Sequence, residues 1–138
     1  MTWIFIDKGE FLIMKKQAIL ISEDSQIIQS VLSQLMDLKM PTLPAHDIRA
    51  AVNALHADIC HVLMIDLTMP EDRLINLIYN VRHQNRPEYI PIIAIADLTE
   101  PEKLRSALKA GATRYIAKQF LDANLREILR EMNLLPRS

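Results

Sequence analysis

Cysteine and glycine are the residue types that this sequence has least of. Cys60 is the only cysteine among 138 residues, so the chain cannot form an internal disulfide, and a reducing compartment is favoured. The only two glycines are Gly9 and Gly111. No glycine-rich loop is therefore available to hold the phosphates of a nucleotide, and a nucleotide-binding fold is disfavoured.

Long apolar runs and clusters of basic residues are also missing. No apolar run approaches the roughly 20 residues that a transmembrane helix needs. The N-terminus has no basic leader, and residues 7–10 interrupt its apolar residues, so a signal peptide is not expected. The net charge is −1, and the lysines and arginines are spread along the chain instead of forming the basic surface that nucleic acid requires. We therefore expect a cytoplasmic protein without a membrane or nucleic-acid partner.

The residues that are present predict one globular domain that follows a short N-terminal segment. Half of the residues are hydrophobic and 24% are charged, which is typical of a chain that folds around a core. Residues 2–13 contain two β-prone runs around a turn at residues 7–9. We interpret residues 1–14 as an N-terminal extension, an upstream start or a vector-derived segment, and residues 15–138 as the domain itself.

Within that domain, short apolar runs alternate with helical patterns. An apolar run of four to seven residues has the length of a buried parallel strand, whereas apolar residues three and four apart predict an amphipathic helix. Pro41 and Pro44 lie in the second of these runs, so any strand there can only be a short edge strand. The predicted strands are residues 17–21, a short one within residues 40–44, and residues 62–66, 91–96 and 114–117. The predicted helices are residues 27–38, 47–56, 74–81, 99–110 and 122–133. This alternation predicts an α/β fold, a parallel sheet with helices on both faces.

Several residues mark predicted helix ends. Asp24 or Ser25 could cap the first helix, Asp47 the second and Thr99 the fourth. Gly111 is predicted to end the fourth helix, because glycine readily adopts the backbone conformation that stops a helix.

Charged residues follow four of the predicted strands. Glu23 and Asp24 follow the first, Asp66 ends the third, Asp97 follows the fourth and Lys118 follows the fifth. The carboxyl ends of parallel strands share one edge of a sheet, so these side chains should lie close together. Clustered carboxylates repel one another unless a cation neutralises them, and their oxygens suit Mg²⁺. With a lysine added, the set predicts a phosphoryl-binding site at which Asp66 could act as a covalent nucleophile.

Four motifs, at residues 23–24, 66–70, 91–95 and 111–118, occur in the order and at the spacing of a known family. On these motifs, residues 17–133 resemble a receiver domain of bacterial two-component response regulators. The resemblance implies a flavodoxin-like (βα)5 fold, a doubly wound five-stranded parallel sheet of order 2-1-3-4-5. It also implies a signalling domain that catalyses only its own phosphorylation and dephosphorylation.

The resemblance implies a role for each site residue. Asp66 would accept a phosphoryl group from a histidine kinase or phosphotransfer protein. Glu23, Asp24 and Asp66, with the backbone carbonyl of Thr68, would hold Mg²⁺. Lys118 would pair with Asp66 or with its phosphoryl group.

This chain differs from the family at three positions near the residues that change conformation when the family's receivers are phosphorylated, which are called switch residues. Ala96 stands where the family has threonine or serine, whose hydroxyl binds the phosphoryl group, so switching should be weak or use another contact. Gln119 replaces a proline after the lysine, and because a non-proline cis bond costs about 2.5–4 kcal/mol, we predict a trans bond. Leu74 replaces a glycine. Tyr115 does match the family's switch aromatic, which turns inward on activation.

Other interpretations stay open. Asp66 alone could be a helix cap, Lys118 an ordinary surface lysine and Tyr115 a structural residue. The whole chain could be a degenerate receiver that acts as a phosphorylation-independent protein-interaction or dimerisation module. A homodimer through the last two helices and the fifth strand is a further possibility for either interpretation. An acid-nucleophile phosphatase is disfavoured, because Thr68 stands where such an enzyme needs a second acid.

Overall fold

The structure is a computed structural model that describes residues 2–6, 10–14, 17–57, 60–84 and 89–135. The predicted turn at residues 7–9, the loop at residues 85–88 and the last three residues lie outside this part. The elements are β1 (Thr2–Ile6), β2 (Glu10–Met14), β3 (Gln17–Ile21), α1 (Ser25–Asp37), β4 (Thr42–Ala45), α2 (Ile48–Ala57), β5 (Cys60–Asp66), α3 (Leu74–His83), β6 (Ile92–Ala96), α4 (Pro101–Ala110), β7 (Arg114–Ala117), a 3-10 turn (Lys118–Phe120) and α5 (Leu121–Glu131).

Two sheets are present. β1 and β2 pair antiparallel, as the two β-prone runs predict, and they form a two-stranded sheet of their own. The other strands form a five-stranded parallel sheet in the order β4-β3-β5-β6-β7. Numbered within this sheet along the chain, the order is 2-1-3-4-5, so the predicted fold is confirmed.

The parallel sheet has a core on each face, because successive side chains of a strand point to opposite faces. Ile19 and Ile21 of β3 pack into the core that α2, α3 and α4 cover, whereas Ala18 and Leu20 pack into the core under α1 and α5. The buried strand residues explain the continuous apolar runs of the sequence. No helix in the described part of the chain is long and apolar enough to cross a membrane.

β4 is an outer strand of the sheet, as its prolines predict. It pairs only with β3, and Pro44 stands opposite Leu20 in the register. The carbonyls of Pro41 and Ala45 accept hydrogen bonds from the backbone N–H groups of Ala18 and Ser22, at 2.8 and 3.0 Å.

The helix caps agree with the prediction in two cases and correct it in one. Asp24 caps α1 by accepting from the N–H of Gln26 at 2.9 Å. Asp47 accepts from the N–H of Ala50 at 2.8 Å, at the start of α2. The predicted threonine cap of α4 is wrong. Glu100 precedes this helix, and the hydroxyl of Thr99 donates instead to Asp97, at 2.7 Å.

Gly111 ends α4 as predicted, with a φ of +129° that side chains rarely adopt. A Cβ atom at this position would lie 2.8 Å from Cγ of Arg82. The guanidinium of Arg82 donates to the Gly111 carbonyl at 2.8 and 3.0 Å and lies 4.3 Å from the ring centre of Tyr89. Arg82 thereby ties the end of α3 to the turn after α4.

The backbone after β7 and at the start of α3 has neither a cis peptide bond nor a positive φ angle. No peptide bond is cis among the described residues, so the bond between Lys118 and Gln119 is trans, as predicted. Leu74, the position of the missing glycine, is simply the first residue of α3. Positive φ angles among described non-glycine residues occur only at Lys39 and Asn133.

Candidate functional site

The site lies at the carboxyl edge of the parallel sheet, where the register aligns the strand ends. Ile21 stands opposite Ile65, and Ala96 stands opposite Ala117. The residues that follow β3 and β7 therefore reach the edge where Asp66 ends β5. Of the predicted site, the edge brings together Asp24, Asp66, Thr68, Ala96 and Lys118 as neighbouring strand ends and turns.

Asp66 is fully buried at this edge, and both oxygens of its carboxylate accept hydrogen bonds. Oδ1 accepts from the backbone N–H of Thr68 at 2.9 Å and from its hydroxyl at 2.6 Å. Oδ2 accepts from the hydroxyl of Ser22 at 2.7 Å. These three donors replace the water that burial removes, so the carboxylate is held in one orientation.

Ser22 is a site residue that the sequence reasoning missed. It is fully buried, and its hydroxyl oxygen also accepts from the backbone N–H of Asp24 at 3.1 Å. The signal was its place in the sheet, since Ser22 is the first residue after β3 and Ile21 pairs with Ile65, the neighbour of Asp66. The sequence reasoning considered the two acids that follow, Glu23 and Asp24, and not the serine before them.

Lys118 contacts Asp24 rather than Asp66. Its ammonium donates to Oδ2 of Asp24 at 2.9 Å, and this hydrogen bond lowers the pKa of Asp24 and raises the pKa of Lys118. Asp66 and Asp97 add only weaker electrostatic attraction to the lysine. Lys118 thus stands at the mouth of the site, where its exposed charge faces three carboxylates.

The sequence Asp-Leu-Thr occurs twice at this edge, with the same hydrogen bonds. Asp97 accepts from the N–H of Thr99 at 2.9 Å and from its hydroxyl at 2.7 Å, which lowers the pKa of Asp97. The two copies differ in burial, because Leu98 is 50% exposed whereas Leu67 is 2% exposed. Only the copy at Asp66 is therefore enclosed by the sheet.

The predicted switch residues lie on neighbouring strands, Ala96 at the end of β6 and Tyr115 in β7, and the register places both on the same face of the sheet. Ala96 is buried and has no hydroxyl to offer the site. Tyr115 is 47% exposed in this structure and lines a surface cavity with the exposed side chains of Leu98, Leu108 and Phe120. A separate contact reaches the site from α4, where the ammonium of Lys103 donates to the carbonyl of Met69 at 3.1 Å.

The donors of the site fit a magnesium ion with few protein ligands. Asp24 and Asp66 supply carboxylates and Thr68 supplies a carbonyl, the hard oxygen donors that Mg²⁺ prefers. In the part of the chain that the structure describes, no three His, Cys, Asp or Glu side chains are close enough to form a metal site. The predicted trio of Glu23, Asp24 and Asp66 is thus not gathered, and Glu23 is exposed. Mg²⁺ commonly binds through one or two carboxylates and keeps several waters, and Asp24 and Asp66 together make two.

Comparisons with known proteins match most of the chain. The family model for the response regulator receiver domain matches residues 19–130. Chemotaxis protein CheY1 of Helicobacter pylori is 41% identical over 68 residues, which are 49% of this chain and 55% of that protein, so the chain spans about half the length of this relative. Chemotaxis protein CheY-3 of Vibrio cholerae is 29% identical over 122 residues, which are 87% of this chain and 94% of that protein.

A solved structure adds a magnesium ion to the comparison. The receiver domain of sensor histidine kinase PA1611 from Pseudomonas aeruginosa has a TM-score of 0.68 and 26% identity to this chain, and the match covers 84% of this chain and 96% of that domain. That structure contains a magnesium ion coordinated in the active-site cleft.

Proposed function

This chain belongs to the response regulator receiver domain family, and we propose that it accepts a phosphoryl group on Asp66. The donor would be a histidine kinase or a phosphotransfer protein in the cytoplasm. In this reaction an oxygen of Asp66 attacks phosphorus, the bond from phosphorus to the donor's histidine nitrogen breaks, and that nitrogen keeps the electron pair and takes up a proton. The chain would modify itself and would not turn over a separate substrate.

The orientation of Asp66 is the observation that carries this proposal. Three donors from Ser22 and Thr68 hold the carboxylate at the strand end, which reduces the freedom that a nucleophile must lose before it reacts. Its place beyond the carboxyl ends of parallel strands is where open α/β sheets bind ligands.

Charge at the mouth of the site supports the same reaction. We propose that Asp24, Asp66 and the carbonyl of Thr68 hold Mg²⁺, with Glu23 as the further predicted ligand, and that the ion neutralises phosphoryl charge when it is bound. Lys118 pairs with Asp24 before phosphorylation. A phosphoryl group on Asp66 would carry more negative charge than Asp24, and Lys118 would then pair with it.

Intact-mass spectrometry after treatment with a small phosphodonor and Mg²⁺ tests the proposal. Wild type should gain one phosphoryl group, and Asp66→Asn should gain none. Asp97→Asn is the matched control, because Asp97 lies in the same Asp-Leu-Thr motif on the exposed side, and this variant should react like wild type. A wild type that never gains the group, or an Asp66→Asn variant that does, would contradict the proposal.

A second candidate, a phosphorylation-independent interaction module, is favoured by the switch region. Ala96 offers no hydroxyl, and Tyr115, Leu98, Leu108 and Phe120 expose apolar surface beside α4, β7 and α5. This surface could form a homodimer without any phosphoryl group.

Sedimentation of untreated protein separates the two candidates. The module predicts a dimer that Tyr115→Lys dissociates and that Tyr79→Lys, an exposed tyrosine on α3, leaves intact. A monomer that dimerises only after phosphorylation would favour the phosphoacceptor.

A further inference from the structure

Ser22 is the one side chain outside the turn of Asp66 and Thr68 that donates a hydrogen bond to the Asp66 carboxylate in the described part of the chain. Its hydroxyl donates to Oδ2 at 2.7 Å, and both residues are fully buried. Thr68 is two residues from Asp66 in the same turn, and its bonds link the turn only to itself. Ser22 instead belongs to another strand end.

The Ser22 hydroxyl is also the middle of a chain of two hydrogen bonds. The N–H of Asp24 donates to Oγ of Ser22 at 3.1 Å, and that hydroxyl donates to Asp66. Asp24 is the residue that caps α1. Hydrogen bonds in a chain strengthen one another, so a change of charge on Asp66 must alter the bond at Asp24 as well.

We propose that Ser22 is a positioning residue that couples the Asp66 carboxylate to the N-terminal cap of α1. The coupling between the two strand ends exists before phosphorylation. Its use in signalling rests on the proposed function. Once Asp66 carries a phosphoryl group, its own carboxyl oxygen accepts hydrogen bonds less strongly than a carboxylate oxygen does, whereas the phosphoryl oxygens accept them more strongly. The hydroxyl would turn toward the phosphoryl group, and the Asp24 N–H would lose its aligned acceptor.

The coupling replaces a contact that this chain lacks. Ala96, at the end of β6, has no hydroxyl with which to sense the phosphoryl group. Ser22 provides a hydroxyl from β3, on the other side of β5. The conformational response would therefore reach the cap of α1 rather than the start of α4.

Hydrogen exchange of the Asp24 amide, measured by NMR, tests the coupling in unmodified protein. Loss of one hydrogen bond should make this exchange about tenfold faster in Ser22→Ala. Asp66→Ala should also speed it several-fold, although Asp66 does not touch Asp24. Ser25→Ala is the matched control, since Ser25 is an exposed serine next to Asp24, at the first position of α1, and Ser22→Thr should restore wild-type exchange. If Ser22→Ala does not fold, Asp66→Ala and Ser22→Thr decide the question. Unchanged Asp24 exchange in Asp66→Ala would overturn the coupling.

The same amide, observed after phosphodonor treatment, tests its use in signalling. Its NMR signal should shift in phosphorylated wild type and should not shift in Ser22→Ala at an equal phosphorylated mass fraction. An equal shift in both proteins would overturn the inference and leave the phosphoacceptor function standing. If wild type gains no phosphoryl group, the proposed function fails, and the exchange measurements in unmodified protein alone decide whether Ser22 couples Asp66 to Asp24.

Discussion

The two Asp-Leu-Thr turns allow a stability prediction with an internal control. Replacing Thr68 by valine removes the hydroxyl that donates to Asp66 at 2.6 Å and keeps the shape of the side chain. Replacing Thr99 by valine removes the equivalent bond to Asp97, which is 2.7 Å long. The two changes delete the same bond in the same motif, and only its burial differs.

Burial sets the expected magnitudes. A hydrogen bond to a charged group contributes about 1.5–3 kcal/mol, and the strength should be retained at Asp66, which is fully buried, more than at the partly exposed Asp97. Thr68→Val should therefore lower the free energy of unfolding by about 2 kcal/mol. Thr99 is exposed, and water can take the place of its hydroxyl, so Thr99→Val should cost about 0.5 kcal/mol or less.

Urea unfolding monitored by circular dichroism measures both values. With a slope of about 2 kcal/mol per molar urea, the midpoint should fall by roughly 1 M for Thr68→Val and by about 0.25 M or less for Thr99→Val. Thr68→Ser keeps the hydroxyl and should stay near wild type. Equal losses at the two threonines would refute the argument that burial decides the strength of these bonds.

Two further predictions concern Asp97 and Gly111. The hydroxyl and N–H of Thr99 hold the pKa of Asp97 below its ordinary value of 3.8, so a carboxyl NMR titration should give a lower midpoint that Thr99→Val raises. These bonds stabilise the fold above that ordinary pKa, and their contribution should disappear as the pH falls through the lowered one. A wild-type midpoint at or above 3.8 would contradict this. Gly111→Ala should cost about 1–3 kcal/mol, because the added Cβ meets Arg82 and the φ of +129° is strained, and thermal unfolding would show it. An unchanged melting temperature would contradict that reasoning.

The sequence predicted the sheet well because its signals are local and strong. Buried runs such as residues 62–65 and amphipathic periods such as that of α1 identify elements directly, and the handedness of parallel crossovers leaves few strand orders. Pro44 in a strand pattern could only belong to an edge. The helix cap at Thr99 was wrong because α4 begins at Pro101, so that Glu100 rather than Thr99 directly precedes the helix.

The site was predicted in outline, but its contacts were not. Which strand ends meet follows from topology, so Asp66, Asp24 and Lys118 were expected at one edge of the sheet. Which side chains touch depends on the register by single residues, and that register places Ser22 beside Asp66 and turns Asp24 toward Lys118. A hydroxyl has no sequence signature comparable to that of an acid, which is why Ser22 escaped notice.

Because of the proline in β4, the two edges of the sheet differ in the backbone hydrogen-bond donors that they offer to other molecules. The carbonyls of Pro41 and Ala45 face β3, so the alternate positions, Thr42 and Pro44, turn their backbone groups outward. Pro44 has no N–H, and a strand arriving at this edge would find a single donor at Thr42. Exposed edges with a full row of donors invite aggregation, and this one is protected. The opposite edge, β7, contains no proline, so each of its residues keeps a backbone N–H and the two edges differ in the donors that they present.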